Sequence, residues 1–181
     1  MKFPFEKVLK NDLAIELDYM KPEEQEEVRS LLNCVINEGK TYPQNKPLSQ
    51  QAFAAYWLSQ DAFVVRTSAQ DTTHKPKEVL GAFYLKPNFP GMCSHICNAG
   101  FIVQPGLRGQ GIGRLMGEAM LVIAANLGYE AVMFNLVFAT NIPSVKLWQS
   151  LGFDIIGNIP RAVKLGDGQV AEALIFYRAL R

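Results

Sequence analysis

The sequence predicts an α/β fold in which helices flank one mixed sheet. Strand-like apolar runs alternate irregularly with segments of helical periodicity, which favours a mixed sheet over a regular parallel one. The chain has 181 residues, 49% of them hydrophobic, which suffices for one well-buried domain and is too few for two ordinary ones. Because no linker, long charge run or internal repeat divides it, we expect residues 1–181 to form a single domain.

The first half of the chain begins with a strand and two helices. The first helix starts at Pro22 and carries Glu23 and Glu24 just inside it; proline suits a first turn, and the helix dipole stabilises acidic side chains there. Gly39 ends this helix. The predicted elements of this half are a strand at 14–19, helices at 22–37 and 49–58, strands at 63–67, 79–85 and 96–103, and a polar loop at 68–77.

The second half contains the strongest helical pattern. Apolar residues from Ile112 to Leu127 recur at helical spacing, and Gly128 follows them as a stop signal. The predicted elements of this half are a helix at 112–127, a strand at 131–137, a helix at 143–151, and strands at 153–159 and 171–177 around a turn at 166–168.

A glycine-rich segment, Arg108-Gly109-Gln110-Gly111-Ile112-Gly113, leads from the strand that ends at Val103 into this helix. Glycine lets the backbone curl and lets a large ligand approach, and the first N–H groups of the helix have no intrahelical acceptor. Together with the helix dipole they favour a phosphate. A Walker loop would need lysine at Ile112, and a dinucleotide loop would need glycine at Arg114, so neither fits. A plain structural turn is the alternative.

The loop matches the pattern Arg/Gln-x-x-Gly-x-Gly/Ala, with Arg108, Gly111 and Gly113 at the fixed positions, and resembles the pyrophosphate loop of the GNAT acyltransferases. A second set of residues resembles the last helix motif of that superfamily: Asn141, Ser144, Leu147, Trp148, Gly152 and Phe153. The resemblance implies acetyl-CoA as the acetyl-donor cosubstrate. It also implies the GNAT fold, with a mostly antiparallel sheet splayed between the fourth and fifth strands and flanked by helices.

The resemblance implies where the cosubstrate binds. The glycine loop would hold the pyrophosphate, and the strand before it would pair through its backbone with the pantetheine arm. The expected cofactor-binding residues are Phe101, Ile102, Val103, Arg108, Gly109, Gln110, Gly111, Ile112, Gly113, Arg114, Asn141 and Ser144.

Four stretches carry a closer resemblance, to the fungal L-azetidine-2-carboxylate N-acetyltransferases. They are residues 39–44, 83–88, 93–101 and 134–141, within a match that covers roughly residues 38–160. Those enzymes acetylate L-azetidine-2-carboxylate and cis-4-hydroxyproline, so the implied acceptor is a small cyclic secondary amino acid.

In that family the asparagines that match Asn98, Asn135 and Asn141 line the active site. Backbone around Asn98 would bind the substrate carboxylate and Asn141 would support catalysis, and Gly100 favours a bulge or a close backbone approach where the strands splay. The expected substrate-binding residues are Tyr42, Asn98, Asn135, Leu136 and Phe138, and ring contacts could also come from Phe83 and Trp148.

The group that accepts the amine proton is not evident from the sequence. Deprotonating an amine of pKa about 10.4 at neutral pH costs roughly 4 to 5 kcal/mol, yet the expected site strands carry no carboxylate. His95 is one candidate base because imidazole titrates near neutral pH, and a water held by asparagines is another. The catalytic candidates are therefore Asn141, Asn135 and His95. Trp148 stands where many of these enzymes have tyrosine, and an indole cannot act as a general acid.

Other functions remain open at this point. The acceptor could be another small amine, such as a polyamine, a drug or a different amino acid, or the chain could be a non-catalytic acetyl-CoA-binding protein. Direct transfer in a ternary complex is expected, while Cys97 leaves a covalent route open. Cys93, His95 and Cys97 alternate as if on one face of a strand, but a fourth ligand is lacking, so no metal is expected.

Composition limits the partners. The formal net charge of +1 argues against nucleic acid or an anionic membrane, and no apolar stretch approaches the length of a membrane span. We expect neither a secretory nor a transit segment at the N-terminus. Three cysteines are typical of a reducing compartment, so a cytoplasmic location is predicted. The resemblance allows a homodimer.

Overall fold

A computed structural model describes residues 2–9, 12–68 and 77–180. Its strands are β1 (Phe5–Val8), β2 (Ala14–Tyr19), β3 (Asp61–Thr67), β4 (Val79–Pro87), β5 (Ile96–Val103), β6 (Ala131–Phe138), β7 (Asp154–Lys164) and β8 (Val170–Ala179). Its helices are α1 (Gln25–Asn37), α2 (Gln50–Trp57), α3 (Ile112–Asn126) and α4 (Ile142–Ser150), with 3-10 turns at Pro22–Glu24, Gly91–Cys93 and Pro105–Leu107. Most of the predicted polar loop at 68–77 lies outside the described residues. None of the described helices is long and apolar enough to cross a membrane.

Every helix and strand that the sequence predicts is present, and two differences concern strands. β1 was not predicted, because its four residues are too few to show a strand pattern. β7 is longer than predicted, because it continues past an irregularity between Ile159 and Val163 where Arg161 has a φ of 53°. That break interrupts the alternation on which the sequence prediction depended.

The strands form one sheet in the order β1-β2-β3-β4-β5-β6-β8-β7. All neighbours are antiparallel except β5 and β6, which are parallel and pair only at Ile96–Ala131 and Cys97–Val132. Beyond this short contact the two strands separate. The mixed, splayed sheet is confirmed, and because β1 precedes the predicted strands, the split lies between the fifth and sixth strands of the chain.

The two faces of the sheet are covered by different helices. α3 packs on one face, where Leu115 and Met116 join a cluster with Phe83 and Phe134. α1 and α2 pack on the other face against Ala82, Tyr84 and Ile102. Burying an apolar side chain of this size contributes about 1.5 to 3 kcal/mol. Because the α3 cluster contains Phe134 of β6 as well as Phe83 of β4, the α3 layer joins the two halves of the split sheet.

The end of α1 contacts the turn between β7 and β8. The Gly166 N–H donates to the Gly39 carbonyl at 3.0 Å. Gly39 has a φ of +65°, and a Cβ there would lie 2.9 Å from the Gly166 Cα, so neither conformation nor space admits a side chain. This contact joins the β1–β5 half of the molecule to the β6–β8 half.

A bulge lies in β6 and not in β5. The register between β6 and β8 shifts between Phe134 and Val137, whereas β4 and β5 pair without a break from Cys97 to Val103. Of the two alternatives predicted for Gly100, the bulge is therefore not observed. The close approach is present, because a Cβ on Gly100 would overlap the ring of Tyr84.

Candidate active site

A cavity of about 730 Å³ lies between β5 and β6. This volume is within the range of small-ligand sites. Most of the residues that the sequence singled out line it: Tyr42, Asn98, Phe101, Ile102, Val103, Arg108, Gly109, Gly111, Gly113, Arg114, Asn135, Leu136, Phe138, Asn141 and Ser144. His95, Gln110 and Ile112 are not among the residues that line it.

The glycine loop presents free backbone donors at the start of α3. Gly109 and Gly111 have φ angles of +79° and +96°, and a Cβ on either would meet open space. Left-handed backbone, and not crowding, is therefore what requires glycine here. Gly111 is the N-cap of α3, and no side chain caps the helix, so its first N–H groups are available to an anion. Gly113 lies in the first turn of α3 and lines the cavity, and a Cβ there would make ordinary contact with Leu147 at 3.7 Å.

Two arginines flank this loop. The Arg108 guanidinium donates to both carboxylate oxygens of Glu38, each at 2.9 Å, just beyond the end of α1. Arg114, in the first turn of α3, donates to the Ser150 hydroxyl at 2.7 Å. The loop therefore combines backbone donors with two cations, a donor set suited to a pyrophosphate.

The β5 backbone is directed into the gap at alternate residues. Asn88 N–H donates to Ile96 O, and Gln104 N–H donates to Leu80 O, so the even-numbered residues of β5 pair with β4. The peptide groups of Phe101 and Val103 therefore face the gap.

This geometry corrects the predicted backbone pairing of Ile102 and limits how Ile112 and Gln110 could bind a cofactor. Ile102 directs its peptide groups to β4 and buries its side chain in the α1–α2 layer, so it cannot pair with a ligand as its neighbours can. Ile112 is buried and can offer only its peptide N–H. The Gln110 side chain turns back and donates to Gly106 O at 3.3 Å.

Three asparagines converge from β5, β6 and α4. Asn98 Nδ2 donates across the gap to Met133 O at 3.0 Å. Asn135, in the β6 bulge, exchanges two hydrogen bonds with Asn88. Asn141 is the N-cap of α4, and its side-chain oxygen accepts from Ser144 N–H at 3.4 Å.

Neither His95 nor Cys97 is placed for chemistry in the cavity. His95 is exposed before β5, and its carbonyl accepts from Glu130 N–H. The prediction that it accepts the amine proton is corrected, because a base must lie within hydrogen-bond reach of that proton. Burial raises the pKa of the Cys97 thiol to about 12, and its Sγ donates to Ala131 O at 3.4 Å. Cys97 is therefore neither a thiolate nor a nucleophile at neutral pH.

Three tyrosines form part of the cavity lining: Tyr42, Tyr56 and Tyr84. The Tyr84 ring lies over Gly100, and its hydroxyl contacts the Tyr56 hydroxyl at 3.4 Å. Tyr42 donates its hydroxyl hydrogen bond to Phe101 O at 3.1 Å. Burial, together with the neighbouring tyrosines, raises the pKa values of Tyr42 and Tyr84 above the ordinary phenol value. These phenols stay protonated, so they can donate hydrogen bonds but cannot act as bases.

Apolar side chains complete the cavity. Trp148 is buried at the centre of an aromatic cluster, 4.9 Å from Phe101 and 4.5 Å from Phe134 between ring centroids. Trp148 therefore packs against its neighbours, and its indole cannot act as a general acid. Phe138 is buried and lines the cavity, whereas Phe83 belongs to the core and does not.

Sequence reasoning missed four residues around the site: Glu38, Tyr56, Tyr84 and Asn88. Tyr84 and Asn88 lie within the stretch 83–88 that carries the closer resemblance, yet no role was assigned to either. An antiparallel alignment of the two strands would have placed Tyr84 opposite Gly100. Nothing in the sequence signals the contact of Glu38 with Arg108.

Comparison with known proteins agrees with this site. A family model described as Acetyltransferase (GNAT) family matches residues 28–153. N-acetyltransferase aca1 of Schizosaccharomyces pombe is 38% identical over 156 residues, which cover 80% of this chain and 75% of that protein.

Solved structures share the fold. A GCN5-related N-acetyltransferase from Kribbella flavida has a TM-score of 0.82 and 28% identity, covering 91% of this chain and 97% of that one. The structure of yncA from Salmonella typhimurium, solved with its cofactor acetyl-CoA, has a TM-score of 0.80 at 13% identity and covers 92% of this chain and 94% of its own. Since the family model spans more than half of the sequence, the chain is an acetyl-CoA-dependent N-acetyltransferase that belongs to the GNAT acetyltransferase family.

Proposed function

We propose that the chain acetylates a small cyclic secondary amino acid, such as L-azetidine-2-carboxylate or cis-4-hydroxyproline. The observation that carries this proposal is the charge distribution of the cavity lining. Its charged residues are Arg108 and Arg114, both beside the glycine loop. The remainder, where an acceptor would lie, is built from amides, tyrosines and apolar side chains.

Such a lining suits a zwitterion. Amide and peptide groups can donate to a carboxylate and accept from an ammonium, and a hydrogen bond to a charged group contributes about 1.5 to 3 kcal/mol. Tyr84 and Phe138 offer aromatic faces to a compact ring. A polyamine, in contrast, would need carboxylates to hold its additional ammonium groups, and none of the described lining residues is Asp or Glu.

We propose direct transfer in a ternary complex. Acetyl-CoA supplies the activated acetyl group. The first N–H groups of α3 hold its pyrophosphate. The peptide groups of Phe101 and Val103 pair with the pantetheine arm, and an N–H of this strand polarises the thioester carbonyl. Water held by the amides of Asn98, Asn135 and Asn141 takes up the amine proton, because no described side chain in the cavity is a base. The amine nitrogen then bonds to the acetyl carbon, the C–S bond breaks, and coenzyme A leaves as a thiolate that solvent can protonate.

A thiol-release assay with acetyl-CoA and a panel of amines tests the acceptor. We expect kcat/KM for L-azetidine-2-carboxylate and cis-4-hydroxyproline to exceed that for spermidine by about 100-fold, a typical limit for discrimination by pocket contacts. Turnover of spermidine alone would disprove the amino-acid proposal. Mass spectrometry of the product would identify the acetylated nitrogen.

The contact of Glu38 with Arg108 predicts an effect on acetyl-CoA affinity. Glu38→Gln removes a negative charge beside the pyrophosphate site and releases the Arg108 guanidinium. An exposed ion pair of this kind is worth about 0.2 to 1 kcal/mol, so the Kd for acetyl-CoA should fall by up to about fivefold at low salt. Titration calorimetry measures this.

The matched control is Glu26→Gln, which breaks the Glu26–Arg29 pair near the other end of α1. This change should leave the Kd for acetyl-CoA unaltered. Weaker binding by Glu38→Gln would mean instead that Glu38 holds Arg108 in its binding position.

Location and assembly stay predictions. Cys34, Cys93 and Cys97 are all free, which fits the cytoplasm as a reducing compartment. Fluorescence microscopy of a tagged chain and light scattering of the purified one would test the cytoplasmic location and the homodimer.

A further inference from the structure

Asn88 is linked to the proposed acceptor site indirectly, through the side chain of Asn135. It follows β4, and its backbone N–H donates to Ile96 O at 2.8 Å. Its Nδ2 donates to Asn135 Oδ1 at 2.9 Å, and Asn135 Nδ2 donates back to Asn88 Oδ1 at 2.6 Å. The two amides therefore form a closed pair that joins the end of β4 to the bulge in β6.

The pair determines what Asn135 can offer to a ligand. A primary amide has two N–H donors and two acceptor lone pairs. The reciprocal contact uses one of each on Asn135, which leaves one donor and one acceptor. Asn135 lines the cavity and Asn88 does not, so this remaining donor and acceptor are the ones available to the acceptor molecule.

We propose that Asn88 is a positioning residue that holds the plane of the Asn135 amide, so that its free N–H can meet the carboxylate and its free carbonyl lone pair can meet the amine of an amino-acid acceptor. Without Asn88 the amide can rotate about its last bond out of this plane, which moves its donor and acceptor away from the acceptor molecule. The inference rests on the proposed function, because it assigns the amino acid to the Asn135 side of the cavity.

The decisive variant is Asn88→Asp, which keeps the size of the side chain. A carboxylate can accept from Asn135 Nδ2 but cannot donate to its Oδ1, so the amide loses one of its two constraints. We expect the acceptor KM to rise about tenfold and the KM for acetyl-CoA to stay constant. Asn88→Ala, which removes both constraints, should have at least the same effect.

The ratio of kcat/KM for L-azetidine-2-carboxylate to that for azetidine, which lacks the carboxylate, distinguishes positioning from general loosening. In the Asn88 variants this ratio should fall about tenfold, because the hydrogen bond to the carboxylate is no longer aligned. Asn158→Ala is the control, since Asn158 is a β7 asparagine whose amide binds Glu172 at the surface. Melting temperatures of all variants show whether the fold is retained.

An Asn88→Asp enzyme with the acceptor KM and the carboxylate preference of Asn158→Ala would overturn the positioning role. Failure of the proposed function gives a different result, because the unaltered enzyme would then not acetylate L-azetidine-2-carboxylate at all. In that case the KM for whichever amine is accepted still tests Asn88, and an unchanged KM in the variants would overturn the inference.

Discussion

Gly111→Asp is expected to abolish acetyl-CoA binding while the fold persists. Gly111 caps α3 with a φ of +96°, and the space beside it is open. The aspartate would therefore occupy the position of the pyrophosphate with a like charge. At about 4 Å and a surface dielectric, that repulsion is worth about 4 kcal/mol, or about 1000-fold in Kd. Titration calorimetry of acetyl-CoA binding measures the loss.

Two further variants separate the effect of the aspartate charge from the effects of backbone strain and side-chain bulk. Gly168→Asp places the same residue at a glycine with a φ of +84° and open surroundings in the β7–β8 turn, away from the cavity. It should cost similar stability, about 1 to 2 kcal/mol, without affecting acetyl-CoA affinity. Gly111→Asn adds bulk without charge and should weaken binding less than aspartate does. Acetyl-CoA binding by Gly111→Asp at the unaltered affinity would show that the glycine loop is not the pyrophosphate site.

Asn141→Ser is expected to lower kcat by about 100-fold with little change in stability. Asn141 caps α4 through its oxygen, which leaves its Nδ2 group as a donor toward the cavity. Serine caps a helix as well as asparagine does, so the helix should keep its start while the donor is lost. Loss of one preorganised donor to a reacting group typically costs 100- to 1000-fold in kcat. Steady-state kinetics and thermal unfolding together measure both effects.

A cap exchange elsewhere provides the control. Ser49 caps α2 by accepting from Ala52 N–H at 3.2 Å, so Ser49→Asn makes the reverse exchange outside the cavity. It should alter neither kcat nor the melting temperature. Full activity in Asn141→Ser would restrict Asn141 to the role of a helix cap.

Local patterns made much of the fold predictable. The helices and strands followed from periodicity, and the glycine loop from spacing within six residues. β1 was missed because four residues carry too little pattern, and the sequence left a bulge and a close approach open at Gly100 because glycine marks both alike. Only the register shows that the bulge lies in β6.

Contacts between distant segments were not predictable in the same way. Asn88 and Asn135 are 47 residues apart, and their pairing depends on how β6 diverges from β5. The corrections for Ile102 and His95 have a similar origin. Ile102 lies in the right strand but directs its peptide groups to β4, and His95 lies near Asn98 in the sequence but outside the cavity. Residue type and order predicted which segments form the site. The direction of each peptide group and side chain could be known only from how the strands pair in the sheet.

The split between β5 and β6 leaves the sheet incomplete until the donor binds. Strand pairing ends at Cys97, so the Phe101 N–H and the Val103 peptide groups lack a neighbouring strand, while the Phe101 carbonyl accepts from Tyr42. A ligand that pairs with them acts as a substitute strand and favours the native state by mass action, by about 2.7 kcal/mol at a concentration 100 times its Kd. Added acetyl-CoA should therefore raise the melting temperature of the enzyme as well as its rate.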